Sequence, residues 1–183
     1  MGLSSNSGNV IYLNVKNGKI ARKNANGDIQ LFDSVEGIIT SVDFKDDEYN
    51  GQRFRKLVLS IEDGAEKYLL QVRTDSGSFR GLTQSIANAD INSAVKLIPS
   101  SKTGDNGKPQ KTIFVSQHGK ALKWKWNKDN QGDLPPLEKV KIKGQDVYDN
   151  TKQLEYFEQF WKALPLAAAP VVDLANDDDI APF

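Results

Sequence analysis

The chain has 183 residues, a length typical of one domain with short appendages. It contains no cysteine and one histidine, which argues against a disulfide framework, a thiolate zinc site and Ser-His or Cys-His catalysis. The formal net charge is zero, but residues 94–143 carry eleven lysines against four acidic residues, and the charged residues from 173 onward are four aspartates. This separation indicates a polyanionic partner and an acidic end that competes for the same surface.

The beginning of the sequence, MGLSSNSG, lacks the pattern of a secretion signal, and no apolar segment of the chain reaches membrane-spanning length. Residues 1–9 are mainly Ser, Asn and Gly, a composition that predicts a disordered N-terminus. We therefore expect a cytoplasmic protein with no membrane partner.

The first predicted elements form a small strand meander. Short apolar segments at 10–15, 19–23 and 28–32 are separated by Asn17-Gly18 and Asn26-Gly27. Asn-Gly between alternating segments is a strong hairpin signal, because these residues adopt positive φ readily.

The main body begins with predicted strands at 35–45, 53–63 and 66–74, the first two separated by a predicted turn at 46–51. Gly37, early in the first of these strands, indicates a bulge or a bend. The period then changes to that of a helix at 76–90, which Ser76 or Ser78 would cap. The elements that follow are a strand at 94–100, a polar loop at 101–110, and strands at 111–117 and 120–126.

This order of three strands, a helix and two strands predicts an all-β fold with accessory helices, built on a five-stranded OB-fold barrel. Other small barrels and split α+β folds share the order. A basic strand at 137–144 and a helix at 151–164 follow, the helix capped by Asn150 and ended by Pro165. The predicted organisation is a disordered N-terminus at 1–9, an OB-fold domain with its meander at 10–148, a C-terminal helix at 149–165, and a linker with an acidic tip at 166–183.

No set of residues in the sequence forms a convincing active site. His118 precedes Gly119 in a predicted turn, where a solvated side chain is the simplest interpretation. The acidic residues at 46–48 fit a solvated charged turn better than a metal site, and residues 104–108 lack the spacing of a phosphate-binding P-loop. We therefore expect a binding protein without catalytic activity, metal or cofactor.

Cations alternate with aromatic rings in KALKWKWNK, at 120–128. In a strand, Lys123 and Lys125 would point to one face, and Trp124 and Trp126 to the other. Either the tryptophans fill the core and the lysines meet phosphates, or the rings stack on bases and the lysines line the rim. Both alternatives suit a polyanion.

A second candidate surface comes from the strands at 53–63 and 66–74. Their apolar alternation places one set of side chains on the outer face: Phe54, Lys56, Lys67, Gln71 and Arg73. In OB barrels this face binds oligonucleotides, with aromatic rings stacking on bases and cations following the backbone. The alternative is an ordinary charged outer face. The loop at 101–110, with Lys102, Lys108 and the adjacent Lys111, would either fold over a bound strand or remain solvated.

The chain ends in DDDIAPF, which resembles the C-terminal peptide of bacterial single-stranded DNA-binding proteins, typically consecutive aspartates followed by Ile-Pro-Phe. Some phage counterparts also end in an acidic tail with a last aromatic residue. The matching positions are Asp177, Asp178, Asp179, Ile180, Pro182 and Phe183, and the departure is the inserted Ala181. The resemblance implies a tip that recruits replication, recombination and repair proteins. The alternative for these residues is a solubilising acidic tail.

Together these features predict a protein that coats single-stranded DNA without sequence specificity, in a bacterial cell and possibly encoded by a phage. Two alternatives are an RNA-binding OB-fold protein and an interaction module whose basic face binds acidic proteins. The helix at 151–164 would dock on its own barrel or on a second subunit, so a homo-oligomer is also open.

Overall fold

The computed structural model describes residues 9–166. Its strands and helices are, in chain order, β1 (Val10–Lys16), β2 (Lys19–Lys23), β3 (Ile29–Phe32), β4 (Val35–Tyr49), β5 (Gln52–Asp63), β6 (Glu66–Arg73), α1 (Gly77–Ile86), β7 (Val95–Thr103), β8 (Pro109–Gln117), β9 (Lys120–Ala121), β10 (Glu138–Ile142), β11 (Gln145–Asp149) and α2 (Thr151–Lys162). Nearly all of the predicted 1–9 segment and the acidic tip lie outside the described residues.

The molecule is mostly β, with one curled open sheet and a C-terminal helix, in agreement with the predicted class. The strand order in the sheet is β3-β2-β1-β6-β5-β4-β7-β8-β9, and β10 and β11 form a separate two-stranded ribbon. The central run from β6 to β8 has the neighbour order expected of the predicted barrel. However, β1 of the meander pairs in parallel with β6 and occupies that edge, so the sheet is open.

The β4–β5 hairpin is longer than predicted. Strand β4 continues to Tyr49, so the predicted turn at 46–51 is wrong for most of its length and is confined to Asn50 and Gly51. The charged residues stay in the strand because they pair across it. Asp46 faces Arg55 and Glu48 faces Arg53, with N–O distances of 2.9 and 3.5 Å.

Strand β4 changes partner at Gly37. Its residues Val35 to Gly37 pair with β7, and pairing with β5 starts at Ile38. A β-carbon at Gly37 would lie 2.6 Å from the carbonyl oxygen of Glu62, so only glycine allows this approach. Strand β4 therefore bends at Gly37, as predicted. The irregularity in its register with β5 lies further along, between Ile39 and Ser41.

The core lies between the sheet and the two helices. The alternating residues predicted for it, Leu57, Leu59 and Ile61, are fully buried. Helix α1 begins after Ser76, whose side chain accepts a hydrogen bond from the backbone N–H of Phe79, as predicted. It ends at Ile86, earlier than predicted. The N–H groups of Asn88 and Ala89 bond carbonyl groups only three residues earlier, as in a turn rather than an α-helix.

The region after β8 departs most from the sequence predictions. The predicted strand at 120–126 is only two residues long, and the basic strand at 137–144 is one half of the β10–β11 ribbon. Helix α2 is confirmed, and its Phe157 and Trp161 are buried. Asn150 makes no capping bond; instead Asp149 accepts hydrogen bonds from the backbone and the hydroxyl of Thr151. Within residues 9–166, neither helix combines the length and hydrophobicity needed to cross a bilayer.

Candidate nucleic-acid interface

A groove of about 250 Å³ opens where the end of β1 and the β1–β2 turn meet the β4–β5 hairpin, β6, the start of α1 and strands β7 and β8. Four of the five residues predicted for an exposed patch line it: Phe54, Lys56, Gln71 and Arg73. The strand register explains this convergence. Lys56 is opposite Arg73 on β6, and Phe54 is opposite Asp47 on β4, so all four side chains share one face of the sheet.

The centre of the groove is an aromatic ring covered by a cation. The Arg73 guanidinium carbon lies 4.5 Å from the centroid of the Phe54 ring. The same guanidinium forms two hydrogen bonds with the Asp75 carboxylate, at 3.0 and 2.6 Å, and this pairing raises the pKa of Arg73. Tyr49, at the end of β4, adds a second ring to the wall and is half exposed. The groove thus offers two aromatic surfaces and a planar cation.

Lys56 has a partner in the groove. Its ammonium lies 2.7 Å from an oxygen of Asp47, and both side chains are largely buried. The hydrogen bond from Lys56 is the main cause that lowers the pKa of the Asp47 carboxyl. The Lys56 charge is therefore balanced locally, so this lysine contributes less to attracting a polyanion than its sequence position indicates.

Lys67 does not line the groove. It lies at the opposite end of β6 from Arg73, where its ammonium is 3.7 Å from Glu62. In contrast, Lys111 of β8 lines the groove and makes no ion pair within the described residues. Two further exposed lysines, Lys102 and Lys108, flank the β7–β8 turn and also lack an acidic partner among residues 9–166. Of the three cations that line the groove, Lys56 and Arg73 are paired with aspartates, and Lys111 makes no ion pair within residues 9–166.

The structure assigns Trp126 to the core rather than to a binding surface. Its ring is 3% exposed and lies within 6 Å, centroid to centroid, of Tyr156, Phe157 and Phe160 in α2. The buried ring cannot stack on a base. The inclusion of Trp126 among the predicted DNA-binding residues is therefore wrong. Of the two predicted alternatives, core filling and base stacking, the burial supports core filling for this side chain. Residues 122–126 do not form the predicted strand.

The remaining residues of this segment are exposed but lie away from the groove. The backbone of Lys123 accepts a hydrogen bond from Asn88, and the backbone N–H of Lys125 donates one to Gln84. These contacts are at the C-terminal end of α1, whereas the groove is at its N-terminal end, about 9 Å or more along the helix axis. Trp124 is 42% exposed there. The structure therefore separates Lys123, Trp124 and Lys125 from the patch.

Helix α2 holds the β4–β5 hairpin from the side opposite Phe54. The Arg55 guanidinium makes two hydrogen bonds with the Glu158 carboxylate, at 2.9 and 2.7 Å, and a third with Asp46 at 2.9 Å. The bond from Arg55 is the main cause that lowers the pKa of Glu158 to about 2. Because Phe54 and Lys56 flank Arg55 in β5, this contact fixes the strand that supplies two groove residues.

Several groove residues are not part of the exposed patch that the sequence predicts, among them Tyr49, Ser78 and Lys111. Tyr49 was assigned to a turn, although its alternation with Asp47 is a strand signal. Ser78 was considered only as a cap. Lys111 is predicted with the loop at 101–110, either over a bound strand or solvated, and the contact of its backbone with Gly77 brings it to the start of α1. Among the described residues, no three His, Asp or Glu side chains converge as a metal site requires.

Comparison of the chain with protein-family models, with curated proteins and with solved structures gave no match. The functional assignment therefore depends on the groove and on the sequence.

Proposed function

We propose that the protein binds single-stranded DNA without sequence specificity and without catalysis, through the groove. The observation that carries this proposal is the stacked pair of Arg73 and Phe54 in a groove that also contains Tyr49 and Lys111, a lysine without an ion pair among residues 9–166. Aromatic rings stack on any base, and cations neutralise phosphates, so such a surface holds a flexible strand irrespective of its sequence.

The position of the groove supports an OB-type core. If β4 to β8 and α1 are equivalent to the five strands and helix of an OB fold, then β5 and β6 are its second and third strands. In that fold, oligonucleotides bind on the face of these two strands, between the loop after the first strand and the loop after the fourth. Here those loops follow Tyr49 and Thr103, and the groove is lined by Tyr49 and by Ser100 and Lys111 of the β7–β8 pair.

The proposed mechanism has an electrostatic and a stacking component. Lys102, Lys108 and Lys111 would attract the strand and track its phosphates, while Phe54 and Tyr49 stack on bases. Each neutralised phosphate of a single strand contributes about 0.7 to the slope of log affinity against log salt. Affinity should therefore fall steeply between low and moderate salt.

The acidic tip, Asp177 to Phe183, is proposed to recruit replication, recombination and repair proteins, on the strength of its resemblance. The Phe183 ring would enter an apolar pocket of the partner, and the aspartates before it would meet cations of the partner. Deletion of residues 177–183 should abolish capture of such partners and leave DNA affinity equal or higher. Loss of DNA binding on this deletion would contradict the role assigned to the tip.

The test of the main proposal is a gel-shift titration with single- and double-stranded DNA of equal length, at two salt concentrations. We expect preference for the single strand and weaker binding at higher salt. Affinity that does not change with salt would remove the electrostatic component. Stronger competition by RNA than by DNA would favour an RNA-binding protein, and failure to bind any single strand together with a tight acidic protein partner would favour an interaction module.

A further inference from the structure

We infer that the start of helix α1 is a specific phosphate site within the groove, formed by the backbone N–H groups of Gly77 and Ser78, the hydroxyl of Ser78 and the ammonium of Lys111. This inference rests on the proposed function, because it assigns one phosphate of the bound strand to these groups. It adds a defined anchor point to a surface whose other contacts are non-specific.

The first observation is the pattern of unused donors at the helix start. The N–H of Phe79 is capped by the Ser76 hydroxyl, and the N–H of Arg80 bonds the Ser76 carbonyl. The N–H groups of Gly77 and Ser78 have no partner within residues 9–166. Unsatisfied N–H groups and the helix dipole make this end electropositive, and the first turn contains no acidic residue to balance it.

The second observation is independent of the helix end. Ser78 is 4% exposed as a residue and lines the groove, and no hydrogen bond joins its hydroxyl to another group in the described part of the chain. A serine hydroxyl carries one donor, and the groove is the place where this donor can meet a partner. The hydroxyl therefore indicates a ligand in the groove that accepts a hydrogen bond.

The third observation brings the backbone of a lysine to the same end of the helix. A β-carbon on Gly77 would lie 2.2 Å from the carbonyl oxygen of Lys111, so the start of α1 rests directly on the backbone of β8 at this lysine. The Lys111 side chain is exposed and lines the groove without an acidic partner among residues 9–166. The nearest acid on the helix side, Asp75, is already bound by Arg73.

These groups fit a tetrahedral oxyanion better than a carboxylate side chain or a base. Two N–H donors and a hydroxyl belong to the first turn of α1, and Lys111 lines the same groove, which together match the several acceptor oxygens of a phosphate. A strand whose base stacks on Phe54 would present its backbone to the same groove. The site therefore sets the position of one nucleotide relative to the stacking ring.

Nuclear magnetic resonance with inorganic phosphate tests the site without DNA. We expect the amide signals of Gly77 and Ser78 to shift in the wild type, to shift much less in Lys111→Gln, and the amide of Gly51 at the hairpin tip to stay unchanged. Unmoved Gly77 and Ser78 signals would overturn the site. Shifted signals in a protein that binds no single strand would keep the site and reject the proposed function.

Oligonucleotide binding tests the role of the site in strand capture. Ser78→Ala and Lys111→Gln should each lower affinity about tenfold, since each removes a bond to a charged group. Lys111→Gln should also lower the salt slope by about 0.7. The matched control is Lys141→Gln, an exposed lysine of the β10–β11 ribbon that does not line the groove, and it should leave affinity nearly unchanged. Equal effects of Lys141→Gln and Lys111→Gln, or none from Ser78→Ala, would overturn the anchor role.

Two sources of the phosphate are separated by the choice of strand. An oligonucleotide with one neutral methylphosphonate link in its centre should bind the wild type more weakly, with a smaller penalty in Lys111→Gln, if an internal phosphodiester occupies the site. If a terminal phosphate occupies it, a 5′-phosphorylated strand should bind more tightly than its 5′-hydroxyl counterpart, again only in the wild type. Absence of both differences would contradict a phosphate at α1.

Discussion

Arg73 of β6 lies with its guanidinium 4.5 Å above the ring centroid of Phe54 in β5, so one face of that ring is occupied by the protein itself. The arrangement holds the ring in place, and the proposed stacking on a base uses the other face of the ring. Replacement of Phe54 by alanine should reduce affinity for single-stranded DNA about 5- to 100-fold, because stacking on an aromatic ring contributes about 1–3 kcal/mol per base. Fluorescence anisotropy with a labelled oligonucleotide measures this change.

The matched control for Phe54→Ala is Tyr148→Ala. Tyr148 is 64% exposed on β11 and does not line the groove, so its removal should leave affinity unchanged. Equal losses in the two variants would indicate a diffuse aromatic effect and contradict a defined stacking site.

The ion pair between Arg55 and Glu158 should make stability depend on pH in the acid range. Pairing lowers the pKa of Glu158 from 4.5 to about 2, so its contribution is fully present above about 4.5 and is lost as the pH falls toward about 2. Glu158→Gln should lower the free energy of unfolding at neutral pH by roughly 2 kcal/mol after allowance for solvent screening. Urea titrations at neutral and acid pH measure the difference.

Glu155→Gln is the control for this prediction, because Glu155 is exposed on the same helix. It should change stability little at any pH. A Glu158→Gln variant whose deficit persisted at pH 2 would show that the effect comes from packing rather than from the charge.

Trp126 and Trp124 should respond to alanine substitution in opposite ways. Trp126 is buried against three aromatic residues of α2, so Trp126→Ala should cost about 3–5 kcal/mol of stability. Trp124 is 42% exposed, and Trp124→Ala should change stability by less than about 0.5 kcal/mol. Guanidinium denaturation followed by circular dichroism measures both. Similar midpoints for the two variants would contradict the packing of α2 on Trp126.

Gly37→Ala should destabilise the fold, by about 1–3 kcal/mol, because the new methyl group would meet the Glu62 carbonyl at 2.6 Å. Thermal unfolding measures the effect. The control is Gly104→Ala, where the contact at 2.7 Å is with the end of the flexible Gln110 side chain, which has room to move. A larger loss of stability for Gly104→Ala than for Gly37→Ala would contradict the bend described for β4.

Local patterns predicted most elements of the fold. The alternation at Leu57, Leu59 and Ile61 identified the core face of β5, and the Asn17-Gly18 pair identified the first hairpin turn, where both residues have positive φ. Such features depend on neighbours in sequence. The parallel pairing of β1 with β6 was not predictable in this way, because it joins segments that share no local signal.

The candidate site was predictable only in part, for the same reason. Strand parity was sufficient to place Phe54 and Arg73 on one face. It gave no information on Lys111, which reaches the groove only because Gly77 allows α1 to approach β8. The alternation of lysine and tryptophan at 123–126 was misleading, because Trp126 is drawn into the core by aromatic residues of α2 that lie far along the chain.

The parallel pairing of β1 with β6 has a consequence for how the chain is made. During synthesis β1, β2 and β3 emerge before β6, and these three strands can form a local meander. The free edge of β1, at Val10 to Asn14, is paired only after Lys67 to Gln71 of β6 have been synthesised. Until then the nascent meander presents an open strand edge with Ile11 and Leu13 beside it. Docking of the meander is therefore a late, long-range step, and chains stalled before residue 66 would be prone to pair with one another.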